Sequence, residues 1–324
     1  MQKVKWGVLG TANIAAGCTI PGMQLADNCE LYAIAGRSAK KAGEFKERFG
    51  FKKFYGSYDE LLEDDEVQAV YVPLPNGLHF QWVKAALEHK KHVLCEKPMA
   101  ICADDARKLY KTAETNGVIL MEAYAYLHSP YVKSLKDDIA SGIIGKVVYI
   151  ESTFVTQGYK EDIRLYKEQG GGAMYDLGCY CTTMILSLND AKPEYVKAVA
   201  EFTDKDVDAM TSAIIRFDNG VRAAFNVGMI LGKDTDARND NLYVYGEKGC
   251  IRSSVEFNQS GELSYHIYSD TGVIERKVSA PQNYSLEVTQ LGKCILEGEK
   301  PFVTPDFSVK NSELMDMVLK EIGY

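Results

Sequence analysis

Short apolar runs alternate with longer amphipathic stretches through roughly the first 120 residues, and this alternation leaves few folds open. Val4–Leu9, 31–35, 67–72, 93–94 and 118–121 read as strands, with Phe54-Tyr55 as a short extra one. Between them, 39–49, 79–88 and 103–114 carry helical periodicity, and Gly50 and Asn116-Gly117 supply stop signals. Strand–helix–strand repetition of this kind predicts an α/β domain with a doubly wound parallel sheet over residues 1–122. Beyond it the pattern changes. A long β-branched and aromatic strand is expected over 147–156, and Gly170-Gly171-Gly172 opens a helix to about residue 188. Strands then follow one another, punctuated by Asp218-Asn219-Gly220, 246–249, Ser260-Gly261 and Thr271-Gly272. Asn219-Gly220 tolerates positive φ and predicts a hairpin. With closing helices over 285–297 and 308–322, residues 123–324 read as a second α/β domain, a large and mostly antiparallel open sheet covered on one side.

Charge narrows the partners. Among 324 residues, 37 basic side chains face 45 acidic ones, a net charge of −8. Such a surface repels nucleic acid and anionic membranes, and Lys40-Lys41, Lys52-Lys53 and Lys90-Lys91 are isolated pairs rather than a patch. No apolar run reaches the ~18 residues of a membrane span, and strand-like sequence begins at Lys3-Val4, so a signal peptide is not expected. The eight cysteines are scattered with no Cys-x-x-Cys pair. They read as small buried hydrophobes of a reducing, cytoplasmic compartment, and no metal is expected.

The first strand runs into Gly10-Thr11-Ala12-Asn13-Ile14-Ala15 and then a helix. A tight turn in that context sets backbone N–H groups and a helix N-terminus against a pyrophosphate. Ala12 and Ala15 stand where the dinucleotide fingerprint has its second and third glycines; alanine is an accepted variant at the third, and at the second its methyl asks the loop to shift. The second strand ends in Gly36-Arg37-Ser38, with Lys41 one turn on. A carboxylate at that strand end selects the ribose 2′-hydroxyl of NAD, whereas a guanidinium pairs with a 2′-phosphate. NADP is therefore the expected cofactor, with NAD as the alternative.

Two further segments suggest chemistry. Glu96-Lys97-Pro98 follows a strand at the carboxyl edge of the sheet, where open α/β folds bind ligands. Proline holds Lys97 in extended backbone. The second segment, Gly170 to Tyr180, combines three glycines, a loop able to approach a flat ring, with Asp176 and Tyr180 four apart on one helix face. Gly178 inside that helix suggests close approach to the facing strands or a ligand.

Trp6-Gly7-Val8-Leu9-Gly10-Thr11-Ala12, Pro75-Asn76-Gly77-Leu78-His79, Glu96-Lys97-Pro98, Asp162-Ile163-Arg164-Leu165 and the 171–180 segment occur in that order. Together they resemble the Gfo/Idh/MocA oxidoreductases over essentially the whole chain. The resemblance implies an N-terminal Rossmann domain and a C-terminal domain whose open sheet makes a homodimer or homotetramer. It also implies Lys97 as the essential lysine, Tyr180 as the acid/base residue and Asp176 as a helper. Tyrosine at that position is similar to the glucose–fructose oxidoreductase, dimeric dihydrodiol dehydrogenase and NADP-dependent xylose dehydrogenase branch. Pro73, Leu74, Asn76, His79 and Glu96 join the turn residues on the cofactor side, and Arg164, Tyr126 and Phe154 fall on the substrate side. Ala125-Tyr126-Leu127 departs from the branch's Trp-x-Arg element, so the branch's substrate does not transfer. The expected reaction moves a hydride between a nicotinamide and a hydroxyl or carbonyl of a sugar or polyol. A trans-dihydrodiol or other carbonyl reductase, and a non-catalytic NADP-binding sugar sensor, stay open as alternatives.

Overall fold

The computed structural model describes residues 2–158, 161–232, 237–254 and 256–324. They divide into two compact units: Met1–His128 with Pro281–Val309, and Ser129–Ala280 with Lys310–Tyr324.

The first unit holds a six-stranded sheet of β1 (Val4–Leu9), β2 (Cys29–Ala35), β3 (Lys53–Tyr55), β4 (Ala69–Val72), β5 (His92–Glu96) and β6 (Leu120–Ala123). The strand order is β3-β2-β1-β4-β5-β6, and every pairing is parallel. β4 reads Ala-Val-Tyr-Val and is buried at all four positions, as a strand covered on both faces must be. Its cover comes from α1 (Ile20–Leu25), α2 (Ala39–Phe49), α3 (Tyr58–Leu62), α4 (Asn76–Glu88) and α5 (Ala103–Asn116). Val83, Ala86 and Leu87 of α4 and Ala106 and Leu109 of α5 meet Val70, Val72 and Val93 of the sheet in one core. The order reverses direction between β1 and β4, the topological switch point at which doubly wound sheets bind nucleotides.

The second unit begins with α6 (Pro130–Ala140), β7 (Val147–Gln157) and α7 (Cys179–Leu188). The strands β8 (Pro193–Phe202), β9 (Asp208–Phe217), β10 (Arg222–Leu231), β11 (Arg238–Gly246), β12 (Gly249–Ser253), β13 (Gly261–Ser269) and β14 (Gly272–Ala280) complete an eight-stranded sheet. Its order is β14-β13-β12-β11-β7-β10-β9-β8, antiparallel except for the β7–β10 pair. The expected hairpin at Asp218-Asn219-Gly220 joins β9 to β10, with Gly220 at φ +85°. One sheet face packs on α6 and α7. The other leaves Val199 72% and Ile214 56% exposed.

The last two helices are α8 (Asn283–Glu297) and α9 (Pro305–Ile322). Sequence order placed all of 123–324 in one domain, but α8 packs on α1 and the β1, β2 and β5 strands of the first unit. Gln282 Nε2 donates to Cys18 O at 3.0 Å and Asn28 Nδ2 to Thr289 O at 2.9 Å, fastening the start and the middle of α8 to the flanks of α1. Val288 and Leu291 supply the buried apolar face. An apolar stripe does not say which sheet it covers, so sequence alone missed this return.

Candidate active site

In the first unit β1 ends at Gly10, whose φ of +131° is a region glycine enters without penalty. A Cβ there would press on Leu74 Cδ2 at 3.1 Å. The chain then enters its helix through a π-turn, Ala15–Thr19, ahead of α1. Such turns recur at functional sites. Asn13 and Ile14 are exposed, and Thr11 and Ala12 are half-exposed. Thr11 also packs its methyl within 3.4 Å of a Cβ built at Gly36, so the two strand ends are held side by side. Arg37 is exposed at the end of β2 and forms no ion pair among the described residues. Ser38 caps α2, its side chain accepting from Lys41 N at 3.4 Å, and Lys41 is exposed on the first turn. The uncrowded turn at Gly10 and these exposed cations suit a phosphorylated dinucleotide.

The carboxyl end of β5 is tied to the same turn. Thr19 Oγ1 donates to Tyr71 Oη at 2.9 Å, and Tyr71 Oη donates to Glu96 Oε1 at 2.6 Å. Lys97 N donates to Glu96 Oε2 at 3.3 Å. Glu96 is buried, so its carboxylate anchors the backbone of Lys97, whose own side chain is half-exposed. The Lys97-Pro98 peptide bond is cis. His79 is wholly buried: Nδ1 lies 2.8 Å from Pro98 O and Nε2 lies 2.7 Å from Leu74 O. Burial depresses its pKa, against the two carbonyl contacts, which raise it. The ring thus clasps the loops after β4 and β5. Pro73 is buried beside it, and Leu74 and Asn76 are half-exposed at the start of α4. Tyr126 is fully buried, edge-on to Tyr124 at 6.3 Å.

In the second unit a second π-turn, Met174–Gly178, leads into α7. Two of the glycines before it pack closely against neighbouring segments. A Cβ on Gly171 would strike the Arg164 carbonyl, and one on Gly172 would strike the Asp208 carboxylate. Gly172 N donates to Arg164 O at 2.9 Å, which presses the glycine loop against the loop that carries Arg164. A Cβ on Gly178 would run into the Met174 side chain of the same turn.

Arg164 Nε donates to Asp176 Oδ2 at 2.7 Å, and its NH1 donates to Asp162 Oδ2 at 3.0 Å. The Asp176 charge, ahead of the opposing cost of burial, raises the guanidinium pKa further. Both residues line a cleft of about 440 Å³ with Phe154, Thr156, Gln157 and Arg238. Arg238 was not singled out by sequence. It lies over the Phe154 ring at 4.7 Å and donates from Nε to buried Asp240 at 2.8 Å. Burial raises the Asp240 pKa, and Arg238 partly offsets this. β-register could have found the pair: Arg238 and Asp240 are two apart on one strand face, opposite Thr156 and Phe154. Tyr180, half-exposed in the first turn of α7, sets its ring 5.5 Å from Phe154 and 5.2 Å from Phe257, which stacks on Phe154 at 5.1 Å. Asp176 and Tyr180 therefore both border Phe154.

A parallel sheet with this turn, a lysine at its carboxyl edge and a tyrosine beside a polar cleft define a nicotinamide-dependent oxidoreductase class. The chain belongs to the Gfo/Idh/MocA oxidoreductase family: residues 4–124 match the profile described as oxidoreductase family, NAD-binding Rossmann fold, and 132–252 match the family's C-terminal domain. It is 32% identical to a D-xylose 1-dehydrogenase (NADP(+)) from Haloferax volcanii, over 97% of this chain and 95% of that one. It is 29% identical to a trans-1,2-dihydrobenzene-1,2-diol dehydrogenase from Xenopus tropicalis, over 98% of each chain. Among solved structures, a 3-ketoreductase from Actinomadura kijaniata in complex with NADP and TDP-benzene superposes with a TM-score of 0.92 at 30% identity, covering 99% of this chain and 98% of that one. Among the described residues no helix is long and apolar enough to cross a membrane.

Proposed function

We propose that the chain is an NADP-preferring dehydrogenase or reductase acting on a hydroxyl or carbonyl of a neutral sugar or related polyol. The observation that carries this reading is the compensated charge of the cleft beside Tyr180. Arg164 is matched by Asp162 and Asp176, and Arg238 by Asp240 and Glu256. Alternating donors and acceptors of this kind suit a ring of hydroxyl groups, whereas a phosphate or diphosphate needs cations not already paired. A second reading, a trans-dihydrodiol substrate, is favoured by the aromatic wall of Phe154, Phe257 and Tyr180.

The bound nicotinamide supplies or accepts the hydride. Tyr180 holds and releases the hydroxyl proton at Oη, the Lys97 ammonium polarises the carbonyl oxygen as charge develops, and Asp176 keeps Arg164 turned along the cleft wall. Glu96 and His79 hold the backbone around Lys97 and Pro98, where a bound cofactor would need a fixed lysine. The apolar outer face of the second sheet, around Val199 and Ile214, supports a homodimer or homotetramer joined there, and the protein works in the cytoplasm.

The test is a screen of aldoses, polyols and trans-dihydrodiols with NADP and NAD, using the Tyr180→Phe protein as blank. A neutral sugar is expected to turn over faster than its phosphate ester. A preference for phosphorylated or nucleotide-linked sugars overturns the substrate class, and NADPH binding without any turnover overturns the enzyme reading. Arg37→Asp should weaken NADP binding by about 10–100-fold, the worth of a charge-assisted hydrogen bond, and invert the NADP/NAD ratio of dissociation constants. Titration of both cofactors by fluorescence checks this, and an unchanged ratio removes Arg37 from cofactor choice.

A further inference from the structure

The Tyr180 hydroxyl has a neighbour that the reading above does not use. Asn258 lies between β12 and β13, and its Nδ2 donates to Tyr180 Oη at 3.3 Å. The other end of the amide, Oδ1, is shut off from solvent and accepts no hydrogen bond. Phe257, next in the chain, is tilted against the Tyr180 ring and stacked on Phe154. One short segment therefore grips the tyrosine twice, at its ring and at its oxygen.

We propose that Asn258 is a positioning residue for Tyr180: its amide N–H steadies the phenol oxygen as the proton leaves and lowers the pH at which the phenolate forms. The proposal rests on Tyr180 being the acid/base residue. A free phenol titrates near pH 10, far above the working range of a cytoplasmic enzyme. A hydrogen bond donated to the charged form pulls that value down. The orientation of the amide matters. Turned the other way, Oδ1 would accept from a neutral phenol and favour the protonated state. As it stands, the donor faces the oxygen and the acceptor is left without a partner, the arrangement that suits an oxygen about to carry charge. Among the described residues, charged side chains near the Tyr180–Phe154–Phe257 cluster include Asp176 on the turn before α7, Arg238 over the Phe154 ring, and Asp240 and Glu256, which pair with Arg238. Asp176 pairs with Arg164, and Arg238 pairs with both Asp240 and Glu256. Asn258 thus contributes an uncharged donor where the ionic groups are bound to one another.

The experiment measures kcat and kcat/KM for alcohol oxidation from about pH 6 to about pH 10. The proteins compared are wild type, Asn258→Leu, Asn258→Asp and Tyr180→Phe, each with NADPH affinity measured alongside. The midpoint of the acid-side limb, below which the phenol stays protonated, should rise by about one unit in Asn258→Leu and further in Asn258→Asp, where a carboxylate faces the phenolate. NADPH affinity should stay at the wild-type value in both. Asn258→Asp keeps the shape of the side chain, so it reports even where Asn258→Leu fails to fold. If both Asn258 proteins keep the wild-type midpoint while Tyr180→Phe is inactive, the Asn258 proposal falls and the tyrosine reading stands. If Tyr180→Phe turns over normally, both fall.

Discussion

Tyr180→Phe is expected to cut turnover by roughly 10²–10⁴-fold, the usual worth of positioned general acid–base assistance, while NADPH binds as tightly as before. The substitution removes one oxygen. The phenylalanine ring keeps its place against Phe154 and Phe257, so the aromatic cluster survives. KM for the substrate should change far less than kcat, because the lost interaction is one whose value rises as the proton moves. Steady-state kinetics on the best substrate from the screen, paired with NADPH titration, separates these quantities. Near-normal kcat would take the tyrosine out of the chemistry.

Gly172→Ala is expected to lower stability by about 3 kcal/mol or more. Gly172 sits at φ +98°, where a side chain costs roughly 1–2 kcal/mol. Its added methyl would also occupy the place of an Asp208 carboxylate oxygen. Asp208 is buried and cannot yield freely: Met174 N donates to its Oδ2 at 2.8 Å and Thr211 Oγ1 at 2.6 Å. Displacing that carboxylate strips the start of the second π-turn of its cap, adding about 1–3 kcal/mol for the buried groups left unsatisfied. Urea denaturation monitored by tryptophan fluorescence gives the change, and a midpoint within error of wild type would show that the carboxylate moves aside without cost. Because Asp176 and Tyr180 follow directly, the same protein should lose activity before it loses its fold.

The sequence made the first sheet legible because its strands are covered on both faces and appear as unbroken apolar runs, β4 and β5 above all. The Asn219-Gly220 hairpin and the helix after Gly172 were legible through their backbone requirements. The π-turns at 15–19 and 174–178 were not, because the residues that widen a helical turn are the same ones that continue it. Within the candidate site, residues defined by a local motif could be named from the sequence: Gly10, Arg37, Lys97 and Tyr180. The contacts of their neighbours could not. His79 and Glu96 read as cofactor-side residues, and their bonds to protein groups become visible only once Pro98 O, Leu74 O and Tyr71 Oη have positions. Arg238 and Asn258 escaped for the same reason: each matters through partners distant in sequence, Phe154 and Tyr180, and short polar stretches before strands look alike.

The return of residues 281–309 to the first unit means that the nucleotide-binding half is encoded in two pieces, interleaved with the two pieces of the other half. α1 is therefore covered by a helix encoded far downstream, beyond the whole of β7 to β14. A protein cut after His128 would lack that cover permanently. Neither unit is therefore one continuous cassette of the gene.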